Sequence, residues 1–249
     1  MERAKDMAYL AAVAAFVGSG LAFALSSQAE VAPSTASATS TLLMYPAVVM
    51  PQTSQIADLP HIFLHPQNPV IWALLISLWG LLILDAILRL VEPGKDRNGP
   101  SCLYFGVALI VGAIWPWTYD QSPVMATLGA LVMLNAGLAA ALRDGSIRRP
   151  AIGFFAGWST GVGSITVLSL IGGKFGLSMV VTASIVLIFG AVIGVIVQHE
   201  LNHRISYAIA MILVFCGLAI ATMGGSMVVA LAAIFSVSAM AVMLIRAAS

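Results

Sequence analysis

Residues 176–198 read GLSMVVTASIVLIFGAVIGVIVQ: twenty-three residues without a single charge. A helix needs about 20 mostly apolar residues to cross a bilayer. The run does not alternate apolar with polar residues, so it is not a barrel strand. Working outward from it, seven further stretches have the same character, at 7–26, 70–91, 101–117, 123–142, 151–172, 205–222 and 226–245. The expected fold class is all-α: a polytopic bundle of about eight transmembrane helices. The breaks carry turn and charge signals, as in Glu92-Pro93-Gly94-Lys95-Asp96-Arg97-Asn98-Gly99-Pro100, Arg148-Arg149-Pro150 and Met223-Gly224-Gly225-Ser226.

The eleven Lys and Arg residues test this map. With the N-terminus in the cytoplasm, Arg3, Lys5, Arg89, Lys95, Arg97, Arg143, Arg148, Arg149, Arg204 and Arg246 all fall inside, and Lys174 alone falls outside. Cytoplasmic loops of membrane proteins carry such an excess of Lys and Arg, and one missed span would scramble the alternation. Both termini are therefore expected in the cytoplasm. A charged start, an apolar run and Ser27-Gln28-Ala29 also resemble a cleaved signal peptide. The length of the run favours a retained first span, and cleavage would leave seven spans in the same orientation.

Composition agrees. Of 249 residues, 60% are hydrophobic and only 8% are charged, against about 25% charged in soluble domains. Too few charges exist to cover a water-soluble globule, which excludes an ordinary soluble enzyme and a disordered chain. A net charge of +1 gives no field for nucleic acid. Cys102 and Cys216 both lie in apolar segments and imply no disulfide framework. The one long loop, 27–69, has no Lys or Arg. Its first part is a Ser/Thr/Ala/Pro-rich linker, and Leu59 to Pro69 is expected to form a structured cap near the membrane.

Ionisable or amide groups within spans are the natural functional candidates. Asp85 and Arg89 stand four apart on the second span, so one helical face presents both and they are expected to pair. Asn135, in the middle of the fourth span, is expected to hydrogen-bond between helices. Gly157 and Gly161, and Gly190 and Gly194, have the small-residue spacing of close helix contacts. Trp72, Trp115 and Trp117 lie at outer span ends and fit an interfacial belt. Trp79 and Trp158 lie about two turns inside their spans, where each needs a partner for its N–H and offers a flat face to a ligand.

His199-Glu200-Leu201-Asn202-His203 matches H-E-x-x-H, which on a helix places two zinc ligands on one face with the Glu as general base. No Asp, Glu or His follows His203, so a third ligand would have to come from Glu92, Asp96 or Asp144. The motif is expected in a short loop, which favours a polar turn over a metal site at His199 and His203.

In this order the motifs resemble the TspO/MBR family of tryptophan-rich sensory proteins, related to the mitochondrial translocator, in its long bacterial branch. A first helix leads to a long outer loop ending Leu59-Pro60 … Pro66-Gln67-Asn68-Pro69. The second helix carries Ile76-Ser77-Leu78-Trp79-Gly80-Leu81-Leu82, similar to the family's F-S-I-W-G-L-I. The third ends in Trp117-Thr118-Tyr119, where the long branch has W-H-Y. The fifth opens Pro150-Ala151-Ile152-Gly153-Phe154-Phe155-Ala156-Gly157-Trp158, resembling P-F-S-I-Y-L-G-W. The chain departs from the family pattern at Thr118, at Ile83 and near Thr166.

The resemblance implies a first helix (1–26), an extracytoplasmic loop (27–69), the rest of a five-helix core (70–172) and three additional helices (173–249). It implies a non-enzymatic receptor or carrier in a bacterial inner membrane. Its ligand would be a small flat lipophile, such as a porphyrin, a related tetrapyrrole or a sterol-like molecule. The pocket would be lined by Trp72, Trp79, Trp117, Tyr119, Phe154 and Trp158. A homodimer or a larger membrane complex is a further expectation. Two alternatives stand beside this one: a structural accessory subunit of a larger membrane complex of pigment or energy metabolism, and a membrane zinc metalloprotease using His199, Glu200 and His203.

Overall fold

A chain segment in hydrocarbon has no water for its backbone N–H and C=O groups, so it must satisfy them internally as helix. The computed structural model describes residues 2–30, 59–91, 100–119, 121–144, 149–202, 204–222, 224 and 226–249, and these form helices joined by short turns. The order is α1 Glu2–Glu30, α2 His61–Leu64, α3 Pro69–Val91, α4 Pro100–Tyr119, α5 Pro123–Arg143, α6 Pro150–Lys174, α7 Met179–Leu201, α8 Ile205–Thr222 and α9 Met227–Ala248. All except α2 are long and apolar enough to span a bilayer. The shortest, α8, has 18 residues, about 27 Å at 1.5 Å per residue. The chain is a multi-pass integral membrane protein with eight candidate spans.

Helix starts follow from residue chemistry. Pro69, Pro100, Pro123 and Pro150 each open a helix, because the first helical position has no use for the N–H that proline lacks. Three spans expected to start at 70, 101 and 151 therefore start one residue earlier. Ser122 and Ser178 cap α5 and α7 by accepting hydrogen bonds from the Met125 and Val181 amides. Gly176, in the left-handed region at φ 63°, turns the chain before that second cap. The sixth span, expected at 176–198, accordingly shifts to 179–201 and draws His199, Glu200 and Leu201 into the last turn of α7.

The axis of the bundle is α6, buried at every position from Ala151 to Thr166. One face carries glycines against α8. A methyl group on Gly157 would stand 2.6 Å from the Tyr207 carbonyl oxygen, and one on Gly161 would stand 2.6 Å from Val214. Gly190 and Gly194 of α7 make similar close approaches, to Phe215 of α8 and to Met240 of α9. The small-residue spacings thus mark close contacts, as expected. The other face of α6 carries Phe155 and Trp158 toward α1, where Phe16 meets both rings at 5.5 and 5.6 Å. Leu59, Phe63 and Leu64 are buried over one end of this side as a short cap. The cap is fastened by Trp72, whose indole N–H donates to the Pro66 carbonyl at 3.0 Å, and by Asn68, which donates to the Gly217 carbonyl at 3.1 Å.

At the opposite end, which bears the chain termini and most of the arginines, charged groups tie α1, α3 and α6 together. Here the structure corrects the expected Asp85–Arg89 pair. Asp85 is taken by Arg149, whose Nε and Nη2 donate to its two oxygens at 3.0 and 2.8 Å. It also accepts from the Tyr9 hydroxyl at 2.5 Å. Arg89 turns instead to Asp6 at 3.1 Å, lies over the Tyr9 ring at 4.4 Å, and donates to the Cys102 sulfur at 3.2 Å. A planar guanidinium arriving from the start of α6 engages both carboxylate oxygens at once, a fork geometry stronger than a single contact. Burial alone disfavours the Arg149 charge; the Asp85 carboxylate outweighs it and holds the guanidinium more firmly protonated than in a free arginine.

A second correction concerns Asn135. It does not bridge helices. Its side chain is exposed on the outer surface of α5, and its Nδ2 donates to the Leu131 carbonyl of its own helix at 2.8 Å.

Candidate functional site: an aromatic cavity

Between α1, α3, α4, α6 and the cap lies a cavity of about 40 Å³. Each wall is an aromatic side chain placed by helical spacing. Phe16 and Phe23 lie seven residues apart on α1, hence on one face, with Gly20 between them. The absent side chain at Gly20 admits Trp79 of α3; a methyl there would stand 3.2 Å from the indole. Trp115 and Pro116 close the cavity from α4, Phe63 and Leu64 from the cap, and Trp158 from α6.

The polar features of this apolar chamber are few and specific. Trp158 is 5% exposed, and its indole N–H has no hydrogen-bond acceptor. Buried donors are nearly always paired, because an unmet one costs about 1–3 kcal/mol. Pro116 sits inside α4 and cannot donate the helical hydrogen bond that the Gly112 carbonyl would otherwise accept. Both residues line the cavity. The chamber wall thus includes a tryptophan whose donor is unmet and a glycine whose carbonyl lacks its helical partner. The remaining lining is hydrocarbon and aromatic ring.

The six residues expected to form the pocket separate here. Trp79 and Trp158 are brought together in the cavity wall. Trp72 braces the cap from outside, through its bond to Pro66. Trp117 is half exposed; its indole donates to the Ser19 hydroxyl at 2.7 Å, and its ring meets the edge of Phe23 at 5.4 Å, one layer behind the wall. Tyr119 lies behind Trp115, at 6.2 Å between ring centroids. Phe154 is buried but is not part of the lining; its neighbour Phe155 packs edge-on to Phe16 and tilted against Trp158.

Sequence reasoning missed Trp115, Phe16, Phe23 and Phe63. Trp115 reads as an interfacial residue from its place near the span end, yet it is 3% exposed and donates to the Ala126 carbonyl at 3.0 Å. The available signal was Pro116. A proline inside a helix releases the carbonyl one turn earlier, which its surroundings must satisfy in some other way. The Phe16-x3-Gly20-x2-Phe23 spacing was a second, weaker signal.

The H-E-x-x-H stretch is not held on a continuous helix. α7 ends at Leu201, and Asn202 has φ 54°, in the left-handed region that stops a helix. His199 and Glu200 are exposed, with their closest polar atoms 4.0 Å apart. Asp144, one of the three acids named for the third ligand, is paired with Arg204 at 3.2 Å, and Arg204 also donates to the Asp144 carbonyl. Glu92, Asp96 and His203 lie outside the described residues. Among the described residues no three His, Cys, Asp or Glu side chains converge on a point that could hold a metal.

Comparison with models of known protein families, with characterised proteins and with solved structures finds no match to this chain.

Proposed function

We propose that this protein is a membrane receptor or carrier that takes a flat lipophilic ligand into the cavity between Trp79, Trp115 and Trp158. The unpaired N–H of Trp158 on a buried aromatic wall carries this reading. Ligand sites are mostly apolar, with a few placed polar groups that fix orientation. A planar hydrophobic molecule with a carbonyl, ether or carboxylate oxygen at its edge would meet the rings with its faces and the indole with its acceptor. The motif order that resembles the TspO/MBR family supports a tetrapyrrole or sterol-like molecule as that ligand.

The chamber is small. Pockets for drug-sized molecules run to roughly 300–1,000 Å³, against about 40 Å³ here. Binding a tetrapyrrole therefore requires the cap over residues 59–68 to lift, with Phe16 and Phe63 turning aside. The charge asymmetry supports a bacterial inner membrane, with the arginine-rich end and both termini in the cytoplasm. In that orientation the cavity lies in the outer half of the bilayer, and its cap faces outward.

The test is a tryptophan-fluorescence titration of the purified protein with protoporphyrin IX, run in parallel on Trp158→Phe and Trp79→Phe. Saturable quenching that weakens in both variants is the expected result. Quenching that is non-saturable and equal in all three proteins would sink the reading.

A further inference from the structure

We propose that His61 and His65 form an acid-sensitive latch on the cap: when both imidazoles carry a proton the rings part, the single turn of α2 opens, and Phe63 and Leu64 leave the wall of the aromatic chamber. The latch rests on the ligand reading only for what the opening admits; the opening itself is measured without a ligand.

The first observation is the ring pair. His61 opens α2 and His65 ends it. Four residues apart, they share one face of the turn. Their rings are stacked, with centroids 3.9 Å apart and planes 10° from parallel. Both residues are half-buried, so protons from water reach them. Such a stack suits two neutral rings, or one neutral and one charged. Two imidazolium rings repel at that distance, and a like charge so near disfavours the second proton. Histidine is the side chain whose ordinary titration falls between about pH 5 and about pH 8.

The second observation is what the pair holds shut. Phe63 and Leu64, between the two histidines, are buried and line the chamber. His65 also meets the ring of Phe23, another wall residue, at 5.4 Å. The turn is wound by backbone bonds from Ile62 to the Leu59 carbonyl, from Phe63 and Leu64 to Pro60, and from His65 to His61. One turn of helix does not sustain itself, so its side-chain contacts decide whether it stays wound. Trp72 and Asn68 pin the cap at its other end, to α3 and α8. Residues 61–65 are the part left to move.

Few other groups at this end change charge in the same range. The first half of α3 has no ionisable side chain. The elements around the cap offer Tyr119 on α4, Cys216 on α8 and Glu30 on α1, and Lys174 stands exposed at the end of α6. Phenols, thiols and ammonium groups ordinarily lose their protons above about pH 8. The side chains of Glu30, and of Asp58 just before the cap, lie outside the described residues. The histidine variants below separate the pair from these two acids.

The sign follows from proton counting. The closed cap holds at most one proton on the pair, and the open cap holds two. Closure is therefore favoured at neutral pH and lost as pH falls. A difference of one proton changes the open fraction by up to about tenfold per pH unit.

The experiment is hydrogen exchange of the full chain in lipid nanodiscs from about pH 7.5 to about pH 5, corrected for the intrinsic rate at each pH. Protection of the amides of residues 62–65 measures how often the cap opens. In wild type this protection is expected to fall by up to about tenfold per pH unit, while that of α6 stays constant. His61→Phe keeps a ring over His65 and takes no proton; His61→Gln removes both ring and charge. Both variants are expected to lose the pH dependence, and α6 protection reports that each is folded. Two results would overturn the latch: cap protection in wild type that does not change with pH, or the same pH dependence in wild type and both variants. If protoporphyrin IX quenches the tryptophans at neither pH while the exchange behaves as expected, the ligand reading fails and the latch stands.

Discussion

The two faces of α6 solve the same packing problem in opposite ways. Toward α8, Gly157 lets the helix meet the Tyr207 carbonyl, Gly153 and Gly161 receive the Ser206 and Val214 side chains, and no space is left for even a methyl group. Toward α1, Phe155 and Trp158 meet Phe16 edge-on or tilted, and a cavity remains beside them. Lipid tails are as apolar as leucine side chains, so association within a membrane depends on contact quality rather than on escape from water. Small residues make that contact continuous. Large flat rings meet at angles and leave gaps, which is how one helix can serve as scaffold on one side and as the wall of a chamber on the other.

The largest effect should come from cutting the charged tie that holds the aromatic side closed at its far end. Asp85→Ala leaves the buried Arg149 guanidinium without its carboxylate. Losing one partner of a buried pair costs about 3–5 kcal/mol, and unfolding in mild detergent should show a loss of that order. An unchanged midpoint would mean that α8 alone holds α6 in place.

Next comes the glycine face. Gly157→Ala drives a methyl into the Tyr207 carbonyl, a backbone atom that cannot rotate away. Overpacking of this kind costs about 1–3 kcal/mol. Gly20→Ala provides the comparison on the cavity side. There the obstruction is the Trp79 side chain at 3.2 Å, which has the cavity beside it. Gly20→Ala should be the milder substitution and should reduce ligand quenching more than stability. Equal loss of stability in both variants would erase the distinction between the two faces.

Trp158→Phe should change stability by less than about 1 kcal/mol, because some packing is lost while an unpaired donor is removed from the interior. A large stability loss would show that the indole N–H is satisfied in the folded protein. The smallest effect belongs to Gly80→Ala. Nothing lies within 4 Å of the added methyl, and the position is exposed on α3. Helix propensity favours alanine by up to about 1 kcal/mol, so a neutral or slightly raised unfolding midpoint is expected.

Much of the architecture was legible in the residues themselves. Span length and the prolines at helix starts are local or one-dimensional signals. The solvent imposes them: hydrocarbon accepts helices of one length, and little else. Two of the six aromatic residues that line the chamber were legible too, because Trp79 and Trp158 lie too deep in their spans for an interfacial belt. Trp115 and Trp117 show where such reading stops. They are two residues apart at one helix end, yet Trp115 is 3% exposed and Trp117 is 50% exposed. Nothing in their spacing says which of the two faces inward.

The sequence by itself determined the number of spans, their approximate ends and the glycine positions of close approach. Each of these depends on a property one segment carries alone: its apolar length, its caps or its smallest side chains. Only the tertiary structure decided that Asp85 pairs with Arg149 across 64 positions rather than with Arg89 four residues away. Only it decided that Asn135 faces outward, and that Trp115 rather than Trp117 joins Trp79 and Trp158. These outcomes depend on how neighbouring helices are rotated about their axes. That rotation is set jointly by every contact a helix makes, and no single segment encodes it.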